Sequence, residues 1–191
     1  RPQDVYVYTG NIVLAAGGNY SNVSEIHVHG GFSVDTYFDD LAILKLTTSL
    51  TLSPSTFTIA LSTTTSPTNT NCIVSGWGST ASNSGVLAPI LRYVSVPIFD
   101  HDTCKSVYNN LVNDKMICAG LVSGGKDSCQ GYSGGPLVCG KSVAGIVSFG
   151  YGCAMPYYPG VYTEVYKYSK WINDAINASV PAPASALSAS L

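Results

Sequence analysis

Charge is scarce in this chain: Asp, Glu, Lys and Arg make up only 10% of its 191 residues, against roughly a quarter in ordinary soluble domains. The net charge of −2 supplies no basic field, so nucleic acid and anionic membrane surfaces are excluded as electrostatic partners. No apolar run approaches the roughly 18 residues of a membrane-spanning helix, and no charged-then-apolar signal segment opens the chain. The first residue is Arg1 and not an initiator methionine, and an upstream segment is expected to have been lost or removed. Cysteine occurs six times but never in Cys-x-x-Cys spacing, which argues against a zinc site. No metal and no other cofactor is expected.

What is present is apolar: 46% of the chain, ample for a sizeable core in one domain or two small ones. Six cysteines without metal spacing point to disulfides and an oxidising compartment, so a secreted, extracellular protein is expected. Composition leaves the pairing open. Asn19, Asn22 and Asn177 begin Asn-x-Ser sequons, which agree with secretion but often arise by chance.

Short β-rich runs come first along the chain: Val5–Tyr8, Ile12–Ala15, Ile26–Val28 and Leu41–Leu46. Glycines and Asn/Ser clusters separate them, as in an antiparallel sheet or barrel. The polar, Pro-broken stretch from Ser62 to Asn71 reads as a linker between two β units. The second unit repeats the strand-and-turn spacing through Thr163, with one short helix capped by Asp100 ahead of Cys104 to Tyr108. Then the period changes. Tyr168, Trp171, Ile172, Ala175 and Ile176 fall at i, i+3, i+4, i+7 and i+8, one apolar stripe of a helix that packs across the β body. The Ala-, Ser- and Pro-rich end from Val180 to Leu191 has no such pattern and is expected to be disordered. The expected division is a first β unit at 1–61, a linker at 62–71, a second β unit at 72–165, a helix at 166–178 and a tail at 179–191.

The stretch Lys126-Asp127-Ser128-Cys129-Gln130-Gly131-Tyr132-Ser133-Gly134-Gly135-Pro136 sets a serine among glycines just after a cysteine. A hydroxyl so flanked is open to a substrate, and the amides of Gly131 and Ser133 are placed to face a developing oxyanion. A glycine-rich turn without chemistry is the plainer reading of the same residues. The run resembles the active-site segment of trypsin-like serine proteases, Asp-Ser-Cys-Gln-Gly-Asp-Ser-Gly-Gly-Pro, with Tyr132 where that family has aspartate. The resemblance continues through Asn71–Gly78, Met116–Gly120, Gly145–Gly150 and Pro159–Thr163, in family order over nearly the whole chain. It implies an all-β fold of two antiparallel six-stranded Greek-key β-barrels with a C-terminal α-helix, the first barrel incomplete here. It also implies the pairs Cys104–Cys118, Cys129–Cys153 and Cys72–Cys139.

The same resemblance assigns roles. Phe38–Leu46 is similar to the family's Asn-Asp-Ile-Ala-Leu-Leu-Lys-Leu strand, which makes Asp40 the aspartate of a serine-histidine-aspartate triad and Ser133 its nucleophile. Asp127 falls where trypsin-like members hold the carboxylate at the floor of the primary pocket. Gly150 and Gly160 match the two glycines that keep its walls open, and Phe149 stands for a more usual tryptophan. A carboxylate there selects Arg or Lys side chains. The family's Ala-Ala-His-Cys segment is not in this sequence, and His27, His29 and His101 read as surface residues. The chain is therefore expected to begin after the family's histidine loop, short of an Ile-Val-Gly-Gly start, a further cysteine pair and about three strands. Tyr132 cannot accept a new N-terminal ammonium as the family's aspartate does, its phenol being neutral below about pH 10. The expected activity of the complete form is that of a secreted, monomeric endopeptidase cleaving after Arg or Lys through an acyl-enzyme. Polypeptide substrates or protein inhibitors are its expected partners, and inactivity is expected of the chain as it stands. The alternative is a non-catalytic homologue that binds a partner with the retained pocket.

Overall fold

Alternating aromatic, β-branched and polar residues build the first part of the chain as a meander. The computed structural model describes residues 1–80 and 85–178, so the tail expected to be disordered lies outside the described residues. Strands β1 (Tyr6–Thr9), β2 (Asn19–Val28) and β3 (Ala42–Leu46) pair antiparallel in that order, with Tyr6 opposite Asn22 and Val28 opposite Ala42. The Ile12–Ala15 run, expected as a strand, is a bend and turn instead. It runs into a reversal that begins at its own last residue, Ala15 (φ 54°), and continues through Gly17 (φ 71°), and it makes a single bridge, Val13 to Ile90. Its backbone bonds outward, Ile12 O accepting both Trp77 Nε1 and Leu91 N at 2.8 Å.

The second sheet gathers β5 (Asn71–Gly76), β6 (Arg92–Pro97), β7 (Met116–Ala119), β8 (Pro136–Cys139), β9 (Ser142–Phe149) and β10 (Gly160–Glu164), ordered β6-β5-β8-β9-β10-β7. All these pairs are antiparallel. The short β4 (Ala60–Leu61) adds to it in parallel, Ala60 opposite Ser142. The outer strands of the order meet. Phe99 N donates to Cys118 O (2.8 Å), Gly120 N donates to Pro97 O (2.9 Å), and Ile98 bridges Ala119. Closure removes the exposed edges around a core of Val74, Val96, Leu137, Ala144 and Tyr162. Among the described residues the three-stranded sheet has no such closure.

Helix α1 (His101–Val107) starts where Asp100 caps it, the carboxylate accepting Thr103 N at 2.9 Å. Its Cys104 joins Cys118, and the remaining pairs are Cys72–Cys139 and Cys129–Cys153. A 3₁₀ turn (Val165–Tyr168) leads into helix α2 (Ser169–Ala178). Of the apolar stripe expected there, Tyr168 and Ile172 are buried with Leu41 and Val165, against Ile43, Val143, Ile146 and Trp171. That cluster takes residues from both sheets and from the helix, and fixes the start of β3 against β9 and the 3₁₀ turn that follows β10. Ile176 lies beyond it and is exposed. No described helix is long and apolar enough to cross a membrane.

Candidate active site

Ser133 lies on two consecutive tight turns. Tyr132 N donates to Cys129 O (3.1 Å) with Gly131 at φ +89°, and Gly135 N donates to Tyr132 O (2.8 Å) with Gly134 at φ +79°. Positive φ at the third residue of a turn is the type II geometry that glycine alone adopts cheaply, which explains Gly131 and Gly134 on either side of the serine. Gly134 N and Gly135 O reach Val147 of β9 at 2.9 Å each. The hydroxyl of Ser133 is exposed. The amides of Gly131 and Ser133 make no hydrogen bond within the described residues.

Asp40 enters the site from the other sheet. Its carbonyl accepts Thr163 Oγ1 (2.7 Å) and its Oδ2 accepts Ser148 Oγ (2.7 Å), so β10 and β9 hold both ends of the residue. Asp39, at φ 52°, is held just ahead of it by Lys115 Nζ and Tyr168 Oη, each 2.8 Å from Oδ1. Burial pushes the Asp39 carboxyl up, but the bonds from Lys115 and Tyr168 outweigh that and leave it below the usual range. Burial and the Asp39 hydrogen bond together raise the Tyr168 phenol.

A cavity of about 160 Å³ joins these parts, lined by Asp127, Ser133, Ser148, Phe149, Gly150 and Gly160 among others. Asp127 accepts Ser128 N (2.8 Å) and Ala154 N (3.0 Å), with burial raising its pKa and those two amides partly offsetting the rise. A methyl group on Gly160 would stand 2.9 Å from Asp127 Oδ1, so only glycine leaves that carboxylate open. At Gly150 the nearest atom to an added methyl is 3.9 Å away, so that wall is looser. A wider groove of about 820 Å³ runs beside Pro97–Asp100 and Gly120–Ser123. It contains neither Ser133 nor Asp127 and has no carboxylate besides the capping Asp100.

None of the three imidazoles meets Asp40. His27 bonds Glu25 (3.0 Å), and His101 faces Asp114 at 3.6 Å. His27 and His29, both expected as ordinary exposed residues, are half-buried; the His29 ring packs on Tyr168 and Trp171, and its Nδ1 accepts Gly31 N. The cause is the chain turning down at the end of β2 onto helix α2. Among the described residues no group of three or more His, Cys, Asp or Glu gathers to hold a metal ion. Ser148, Thr163 and Lys115 are supports that sequence reasoning did not single out. Ser148 lies inside the Gly145–Gly150 motif, and that was its only signal.

Similarity to known proteins gives the family. The trypsin family model matches residues 2–172. The chain is 41% identical over 170 residues to a trypsin of Xenopus laevis, covering 88% of this chain and 70% of that one. It is 40% identical over 167 residues to a trypsin of Sus scrofa, covering 87% and 72%. Over 167 residues it is also 40% identical to Serine protease 1 of Rattus norvegicus, covering 87% and 68%. The chain belongs to the trypsin family of serine proteases.

Proposed function

We propose that this chain carries the substrate-reading and acyl-forming half of a secreted endopeptidase that cuts after arginine and lysine. Ser133 is the nucleophile, Asp40 orients the base, and the amides of Gly131 and Ser133 receive the oxyanion. Asp127, between Gly150 and Gly160, receives the cationic side chain. The observation that carries the reading is the carboxylate at one end of a cavity whose wall includes the exposed serine. A guanidinium or ammonium entering there replaces the water around Asp127 and forms charge-assisted hydrogen bonds with it. The three disulfides support the oxidising compartment.

The 191 residues alone lack the proton transfer that acylation needs, since Asp40 is met by Ser148 and by no imidazole. Such a chain binds cationic ligands without turning them over, which also favours the second reading, a binding homologue. Calorimetric titration with benzamidine tests the pocket, and hydrolysis of an arginyl thioester with fluorophosphonate labelling tests the chemistry. Binding with no turnover is expected. Absence of benzamidine binding sinks the pocket, and stoichiometric labelling of Ser133 sinks the inactivity.

A further inference from the structure

Tyr132 stands between the two amides assigned to the oxyanion, and its side chain does not line the Ser133 cavity; it is largely buried, with one edge on a second pocket shared with Arg92, Lys126 and Asp127. It is 9% exposed and belongs to the core cluster with Val74, Leu137 and Ala144. Its ring is seated between Gly76 at the end of β5 and Gly78 two residues on. A methyl group added to Gly76 would lie 2.6 Å from the Tyr132 Cδ1 carbon, and one added to Gly78 would lie closer still. Any side chain at either glycine would take the ring's place. Gly131 approaches the same wall, an added methyl there standing 3.1 Å from the Gly78 Cα. A flat ring of this size in a slot made by two residues without side chains has little freedom to move, because a shifted ring leaves unfilled core.

We propose that Tyr132 is the positioning residue of this loop: its ring, wedged between Gly76 and Gly78, holds the turn that leaves the Gly131 and Ser133 amides free, without an ionic partner. The inference rests on the reading of those amides as the oxyanion donors. The carboxylate–ammonium contact expected of a family aspartate is replaced here by packing, so the turn is set when the core folds and needs no newly made chain terminus. Tyr132→Asp, which restores the family residue, then does harm in this chain. It empties the slot and leaves a largely buried carboxylate whose neighbours across the adjoining pocket, Arg92 and Lys126, cannot replace the packing that the ring supplied.

The test follows amide exchange by NMR on the whole chain, reading residues 132 and 135, whose N–H groups are bonded within the turns, and Gly134, whose N–H donates to Val147 O of β9. In Tyr132→Ala and Tyr132→Asp these amides are expected to exchange about tenfold faster or more, while those of β8 and β9 hold their rates, Val147 excepted because its N–H donates to Gly135 O of the turn. Tyr132→Phe, which keeps the ring and loses only the hydroxyl, is expected to match the parent. Corrected for intrinsic rates, exchange in the parent is expected to be the same at about pH 6 and about pH 9, on either side of an α-amino pKa. Should Tyr132→Ala fail to fold, Gly78→Ala carries the test, since its methyl displaces the ring from the other side. Unchanged exchange in Tyr132→Ala or Gly78→Ala, or a Tyr132→Phe protein as loose as Tyr132→Ala, overturns the proposal. Benzamidine titrated into each variant separates the two readings. Loss of binding in the parent itself condemns the Asp127 pocket and leaves the wedge standing, whereas loosened turns with binding intact support both.

Discussion

Asp127 holds its charge in a place that penalises it, because burial raises its pKa above the ordinary 3.8 in spite of the amides of Ser128 and Ala154. Between the ordinary value and the raised one, the folded chain binds a proton that the unfolded chain has released. Stability therefore falls as pH rises through that window and stays lower above it. Ligand binding runs the opposite way, since an amidinium needs the carboxylate charged. Benzamidine affinity is expected to climb with pH through the Asp127 pKa and then level off. Asp127→Asn should stabilise the free protein at neutral pH, read by thermal melting, and weaken benzamidine by roughly 10- to 100-fold, the worth of a hydrogen bond between charged groups. A variant that binds as tightly as the parent places the cation somewhere else. What was legible at this scale was local: Asp127 and Ser133 stand six residues apart in one contiguous run. Ser148 escaped notice because its partner Asp40 is 108 residues away, and no local pattern announces a contact of that span.

Among the elements, α1 and α2 were readable for different reasons. The first has a capping side chain and the second a 3.6-residue apolar period, both features of a single turn or stripe. The Ile12–Ala15 run has the composition of a strand and lacks a neighbour to pair with over more than one residue. Strand formation is a property of two segments, and only one of them was in view. The cap can be tested directly. Asp100→Ala removes the acceptor for Thr103 N and Thr103 Oγ1 and is expected to cost about 1 kcal/mol in denaturant unfolding. The loss should be larger than that of Asp102→Ala, since nothing shows Asp102 bonding the backbone of the first turn. Equal losses would mean that the helix start is held by Cys104 and not by its cap.

Taken as a whole, the molecule distributes its restraints unevenly. The closed sheet holds all three disulfides and two of the three core clusters, while the three-stranded sheet exposes Tyr6, Tyr20, Val28 and Leu44. Local opening is governed by such differences in buried contact. Hydrogen exchange should therefore find β5 and β8–β10 protected to the level of global unfolding, and β1 and β2 well below it. Equal protection in both would show that the small sheet is closed in some way the present pairing does not account for. The strand-rich character was readable from spacing, and a closed second barrel and the disulfide pairing from the resemblance, whereas the particular contact that closes it, Ile98 to Ala119, required the fold itself.

One consequence follows from the position of the first cysteine. No disulfide reaches upstream of Cys72, so the segment that supplies Asp40 is joined to the segment that supplies Ser133 by peptide backbone alone. A single cut in the polar stretch between β4 and β5 would turn one chain into two pieces with half a site each. The pieces would stay together in native buffer through the parallel β4 pairing, the Leu41 cluster, and the bonds from Lys115 and Thr163. In denaturant they would part even without a reducing agent. Such a nicked protein would divide the proposed site between two fragments, and mixing one fragment carrying Asp40→Asn with partners of either type would let the two halves be exchanged like subunits, with reassembly read by native mass.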